Sequence, residues 1–82
     1  MLVNVRFMCI DIPMNTGNGN IRIDDGATVE DVLRYATLNY GIKIPVSELK
    51  NSMLLVNSKP VSYDYVLEDS DCLSVIRPMA GG

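Results

Sequence analysis

The sequence predicts a two-layer α+β domain, and three observations predict it. Several stretches alternate apolar and polar residues with a period of two, the mark of half-buried strands. A single segment repeats its apolar residues at helical spacing. The order of these segments is strand, strand, helix, strand, short strand, strand. A helix that follows a hairpin buries its stripe only by packing on one face of the sheet. At 82 residues the chain has room for one core layer, because a domain this small buries roughly 60–65% of the surface its unfolded form exposes.

The first strand is read over residues 2–9, with Val3, Val5 and Phe7 on one side and Asn4, Arg6 and Met8 on the other. Residues 10–20 contain Pro13, Asn15, Gly17, Asn18 and Gly19, a loop-forming composition suited to joining two strands. Residues 20–24 alternate again, with Ile21 and Ile23 facing inward, and Asp25-Gly26 turns the chain. The helix follows. Thr28 can cap it, Glu30 and Asp31 place negative charge in its first turn, and Val29, Val32, Leu33, Ala36 and Tyr40 form its apolar stripe. Gly41 supplies a stop and Pro45 forbids early resumption. Residues 42–51 read as a loop with one helical turn near 47–50. Residues 53–56 make a third strand, ended by a turn at 57–60. Residues 61–65 hold a short fourth strand or an irregular segment, 67–71 form a tight acidic turn, and 72–77 make the last strand, with Leu73 and Val75 on one side.

Composition narrows the function. Hydrophobic residues make up 48% of the chain and aromatic residues 6%, a globular balance and not that of a disordered tail. A net charge of −3 argues against a nucleic-acid partner, since little here could displace phosphate counterions. An acidic surface suits basic partner proteins, although mild acidity also simply keeps a protein soluble. No apolar run approaches the roughly 20 residues that span a bilayer, and the first residues lack the blocks of a signal peptide. The expectation is a cytoplasmic protein without a membrane partner. Cys9 and Cys72 form no C-x-x-C pair, and there is no His in the chain. Both thiols are expected to be free and packed in strands. Asp24, Asp25, Asp69 and Asp71 are explained by their turn positions, so no metal is expected. Gly17-Asn18-Gly19 is too short for a phosphate loop, and Tyr63 and Tyr65 read as packing residues with wet hydroxyls.

The chemistry is expected at the end of the sequence, Arg77-Pro78-Met79-Ala80-Gly81-Gly82. Two successive glycines there have odds of about 0.5% by composition alone. Glycine removes the side chains that would block a narrow channel and the Cβ atoms that restrict the backbone. Pro78 stiffens the base of this tail, and Met79 adds an adaptable apolar handle. The expected division is a folded domain over residues 1–76 and a flexible tail over 77–82. Drawn into an adenylating enzyme beside ATP, the Gly82 carboxylate would become an acyl-adenylate. Sulfur attack would then give a thiocarboxylate, nucleophilic at neutral pH without a His or a base.

Beyond that tail, Val56-Asn57, Val61-Ser62-Tyr63-Asp64, Leu67-x-Asp69-x-Asp71, Pro78-x-Ala80-Gly81-Gly82 and the helix start Ala27-Thr28-Val29-x-Asp31-Val32-Leu33 resemble the ThiS/MoaD-like sulfur-carrier family, nearest its molybdopterin synthase small subunits. The resemblance implies a ubiquitin-like β-grasp fold, with a mixed sheet of four to five strands on one main helix. It implies a carrier and not an enzyme, adenylated and thiocarboxylated at Gly82. The implied partners are a ubiquitin-activating-like adenylating enzyme, a molybdopterin synthase large subunit or a thiazole synthase, and a sulfur donor such as a cysteine desulfurase. No cofactor is bound, and ATP is used by the partner. The same tail would also serve a ubiquitin-like modifier joined to lysines through Gly82. The chain departs from the family at Ser70, where the pattern Asp-Gly-Asp becomes Asp-Ser-Asp, and in the loop at 14–20.

Alternation also suggests where a partner docks. With Leu73, Val75, Leu54 and Val56 inward, Ile76, Met53 and Leu55 face outward. Leu55 and Ile76 are expected as exposed apolar residues beside the tail, and with Pro78, Met79, Ala80 and Gly81 they form the expected partner-binding set. A one-residue slip in register would invert this assignment.

Overall fold

Val3, Val5 and Phe7 of the first strand are all buried, as their alternation requires, and they floor the core. The structure, a computed structural model, describes residues 1–8, 19–39 and 45–76. In chain order the elements are β1 (Leu2–Met8), β2 (Gly19–Arg22), α1 (Val29–Asn39), the single turn α2 (Val46–Leu49), β3 (Met53–Val56), β4 (Lys59–Pro60) and β5 (Cys72–Ile76). The strands form one mixed sheet in the order β2-β1-β5-β3-β4. β1 and β5 are parallel, and the other pairs are antiparallel.

The inner face of the sheet presents Val3, Val5, Phe7, Ile21, Leu54, Val56, Leu73 and Val75. Against them α1 lays Val29, Val32, Leu33 and Ala36, all inaccessible to solvent. Leu49 of α2 and Leu67 complete the same cluster. Burying each of the larger aliphatic side chains contributes about 1.5–3 kcal/mol. Tyr40 and Gly41, expected to extend and stop the helix, lie outside the described residues, as do Cys9 and Arg77 at the expected strand ends.

Hydrogen bonds at its start show why α1 begins where it does. Thr28 N–H donates to Asp31 Oδ2 at 2.9 Å and Asp31 N–H to Thr28 Oγ1 at 3.3 Å, a reciprocal cap. Two further N–H groups that the helix leaves unpaired are met from a distant segment. Val29 N–H donates to the Tyr65 carbonyl at 3.0 Å and Glu30 N–H to the Tyr63 carbonyl at 2.8 Å. A bridge between Thr28 and Val66, and a bond from Leu67 N–H to the Ala27 carbonyl, hold that segment in place. On the surface, Glu30 pairs with Arg34 at 2.7 Å and with Lys50 at 3.7 Å, and the Lys50 ammonium sits 4.3 Å from the Tyr63 ring centre.

The same bonds decide between the two readings of residues 61–65, which form the irregular segment. The fourth strand is Lys59–Pro60, within the expected turn, and it pairs with Val56 and Leu55. Asn57 and Ser58 have φ of +52° and +71°, so they make a two-residue hairpin turn and the chain pairs back at once. After Val61 N–H reaches the Leu54 carbonyl, the backbone leaves the sheet to cap α1. The second strand is likewise shifted, to Gly19–Arg22, and Ile23 lies just beyond it, half-buried against the core.

The acidic turn at 67–71 proves to be a junction. Asp69 Oδ1 accepts from Leu2 N–H at 2.7 Å, and Ser70 N–H donates to the Leu2 carbonyl at 2.7 Å. Asp71 is buried; its carboxylate accepts from Asn57 Nδ2 at 2.9 Å and from Glu68 N–H at 2.8 Å. Asn57 Oδ1 in turn accepts from Cys72 N–H at 3.0 Å. One amide side chain therefore ties the β3–β4 turn to the start of β5.

Two outcomes are expected. Ser70 holds φ at +71°, where a residue with a Cβ is strained by roughly 1–2 kcal/mol. Ser70→Gly should raise unfolding stability by about 0.5–1 kcal/mol, after the extra freedom of glycine in the unfolded chain is subtracted, and urea titration will read the change. Asn57→Gly keeps the turn's φ but removes both side-chain bonds. It should lower stability by about 2 kcal/mol, the cost of stripping partners from a buried carboxylate and an N–H, and thermal unfolding should show a lower midpoint.

Candidate functional site

With the helices packed on one side, the other side of the sheet is left open, and its rows follow from the register. Ile76 of β5 is flanked by Met8 of β1 and Met53 of β3. In the next row Ser74 lies between Arg6 and Leu55, and Leu55 is opposite Pro60. Neighbouring strands are about 4.8 Å apart, so Met8, Ile76 and Met53 form one apolar row at the end of β5 from which the chain continues to residue 77. Met53 is 58% exposed and Met8 40%. Their unbranched thioether side chains adapt to an irregular partner surface.

Leu55 and Ile76 face outward, as their alternation implies, but both are half-buried where exposure was expected. The cause is lateral shading. Ile76 sits in the middle strand between two methionines, and Leu55 sits between Ser74 and Pro60. They are also not opposite one another, since Leu55 is one row further from the tail. The more accessible members of the patch are Met53 and Met8. Alternation placed both outward, but the pairing of β1 with β5, which brings Met8 beside Ile76, has no local signal. Pro78, Met79, Ala80, Gly81 and Gly82 lie outside the described residues.

Several other polar groups have structural partners. Asp25 is 3.1 Å from the Met1 amine, which also donates to the Ile23 carbonyl at 2.7 Å. The Asp24 carbonyl accepts from Ala27 N–H in the turn before α1. Cys72 is a free, half-buried thiol whose Sγ lies 3.4 Å from Asn4 Oδ1. Among the described residues no three His, Cys, Asp or Glu side chains are placed to hold a metal ion. Nor is any described helix long and apolar enough to cross a membrane. What the described body offers is an outward apolar row at the end of β5, with no described group placed for catalysis.

Comparison with known proteins bears on this arrangement. The ThiS family matches residues 13–82. No curated protein matches the sequence at a significant level. Among solved structures, SAMP1 from Haloferax volcanii superposes with a TM-score of 0.73 at 14% identity, over 100% of both chains. The Haloferax volcanii HVO 2177 protein gives 0.71 at 26% identity, over 100% of this chain and 87% of that one. A structure of the complex of subunits 1 and 2 of molybdopterin-converting factor from Helicobacter pylori gives 0.64 at 24% identity, over 100% of both chains. The mixed sheet on one main helix is the ubiquitin-like β-grasp fold. With the family match running from residue 13 through both glycines, this chain belongs to the ThiS family, the ThiS/MoaD-like sulfur carriers.

Proposed function

We propose that this protein is a cytoplasmic sulfur carrier whose working group is the carboxylate of Gly82. The observation that carries the reading is the family match through residue 82, which includes Gly81-Gly82. A carboxylate oxygen of Gly82 attacks the α-phosphorus of ATP in an adenylating partner, and pyrophosphate leaves. The outer sulfur of a persulfide, such as a cysteine desulfurase carries, then displaces AMP to form an acyl disulfide. A second thiol attacks the desulfurase-side sulfur of that disulfide, becoming a disulfide itself and releasing the thiocarboxylate. The carrier is a co-substrate in these steps, not their catalyst, and it binds no cofactor itself.

The acceptor we propose is the pterin precursor of molybdopterin, held in a larger synthase subunit. Support comes from the Val61-Ser62-Tyr63-Asp64 and Pro78-x-Ala80-Gly81-Gly82 stretches, and from the likeness to a chain of the Helicobacter pylori complex. The row Met8, Ile76 and Met53, with Leu55 beside it, is the surface that both the adenylating enzyme and the synthase subunit would cover. Pro78, Met79, Ala80 and Gly81 would thread from that face into the partner's active site.

Intact mass of the protein from its native cell tests the chemistry directly. One oxygen replaced by sulfur is the expected result, whereas lysine adducts of high mass would make the protein a modifier. Removing Gly82 should abolish ATP-dependent adenylation and change unfolding stability by no more than about 0.5 kcal/mol. The acceptor is tested by mixing thiocarboxylated protein with the large synthase subunit and its pterin precursor; sulfur passing only to a thiazole synthase would reassign the pathway. The docking face is tested by Met53→Glu, which should weaken the complex with the adenylating enzyme by about 2 kcal/mol, roughly thirtyfold, as expected of an interface anchor. The variant should stay folded because Met53 is mostly exposed.

A further inference from the structure

The acidic residues of this protein keep away from the described strands. No described strand contains an Asp or a Glu, and these strands carry Arg6, Arg22 and Lys59. All nine acidic residues among the described ones lie in the helices and connecting segments. Arg6 and Arg22 are exposed, and both share the outward phase of Met8 and Leu2. Neither guanidinium is in an ion pair among the described residues. A chain of net charge −3 thus has an outer sheet face that bears positive charge only, among the described residues.

We propose that this face docks onto a protein surface that is apolar at its centre and carries carboxylates beside it, one of them meeting Arg6. The inference rests on the carrier reading above and specifies the chemistry of its partner. Arg6 is two residues from Met8 on the same side of β1, about 7 Å away along the strand. A partner that covers the row Met8, Ile76 and Met53 therefore takes water from the Arg6 guanidinium. An unpaired charge in that position is costly, and a carboxylate opposite removes the cost. A basic partner, which the net charge taken alone would suggest, meets Arg6 and Arg22 first. The acidic residues lie on the far layer or at the turns, and at physiological salt the screening length is about 8 Å. The near face decides the encounter.

The experiment measures association of the protein with its adenylating enzyme at about 0.02 M and about 0.5 M salt, where screening is weak and then nearly complete. Arg6→Glu should slow association about tenfold or more at low salt, and the deficit should shrink at high salt. Arg6→Lys should stay near the unmodified protein. Glu68→Lys, a reversal on the acidic turn, should change the rate less than twofold. Arg6→Gln, which removes the charge without adding another, should slow it about threefold and serves if Arg6→Glu does not fold. Association that is unchanged or faster in Arg6→Glu, or that salt does not slow in the unmodified protein, would overturn the proposal while leaving the carrier reading in place. An unmodified protein that is neither bound nor adenylated at either salt would overturn both.

Discussion

β1 and β5 lie side by side and parallel, although Asn4 and its partner Cys72 are separated by 68 residues. Parallel neighbours cannot be joined by a tight turn, so the chain between them has to leave the sheet and return. That excursion contains the rest of the domain. α1 occupies it because its apolar stripe needs the face that Val3, Val5, Leu73 and Val75 leave uncovered. β2 and β3 then have one free flank each, beside β1 and beside β5. The turn at 67–71 fixes the register of this pairing from below, where Asp69 and Ser70 grip Leu2 and the Asp71 carbonyl accepts from Asn4 N–H at 2.9 Å. Losing the central pair would cost both flanks their neighbour and the helix its floor.

Local signals carried most of the architecture. Alternation in β1, β3 and β5 identified the inward residues, and Thr28 with Asp31 marked the start of α1, because each of these patterns is set by neighbours two to four residues away. Residues 61–65 stayed open between a short strand and an irregular segment for a physical reason, and the irregular alternative is the one that holds. Val61, Tyr63 and Tyr65 alternate like strand residues, but the carbonyls of Tyr63 and Tyr65 are engaged by the first N–H groups of α1, more than thirty residues earlier. The turn before it was read as four residues, 57–60, because Ser58 gives no signal of the positive φ it adopts. At the candidate site, the outward phase of Leu55 and Ile76 was legible. Their shading was not, because Met8, Ser74 and Pro60 become their neighbours only through the sheet. The chemistry expected of the tail rests on the sequence alone, on two glycines and the residue types before them, because residues 77–82 lie outside the described residues.

Ser70 shows how a departure from a family pattern is absorbed. The glycine that the resemblance implies at this position would suit a left-handed backbone, and the serine here has a φ of +71°. It is held there because its N–H, its neighbours' carboxylates and the start of β1 are locked together. Strain at one residue is tolerated where the surrounding bonds over-determine the conformation. The turn therefore keeps its shape with a less suitable residue, and the register of β1 against β5 is kept with it.

That β5 is a middle strand yet comes last among the described elements has a consequence for how the protein is made. During synthesis, a nascent chain that has not reached residue 72 lacks the centre of its own sheet, and β1 with β2 cannot meet β3 until residues 72–76 have left the ribosome. Such fragments leave strand edges unpaired and apolar faces uncovered, the condition in which chains aggregate or are degraded. A copy that stops before residue 72 is thus open to both fates, because only a chain that has completed β5 can close the sheet.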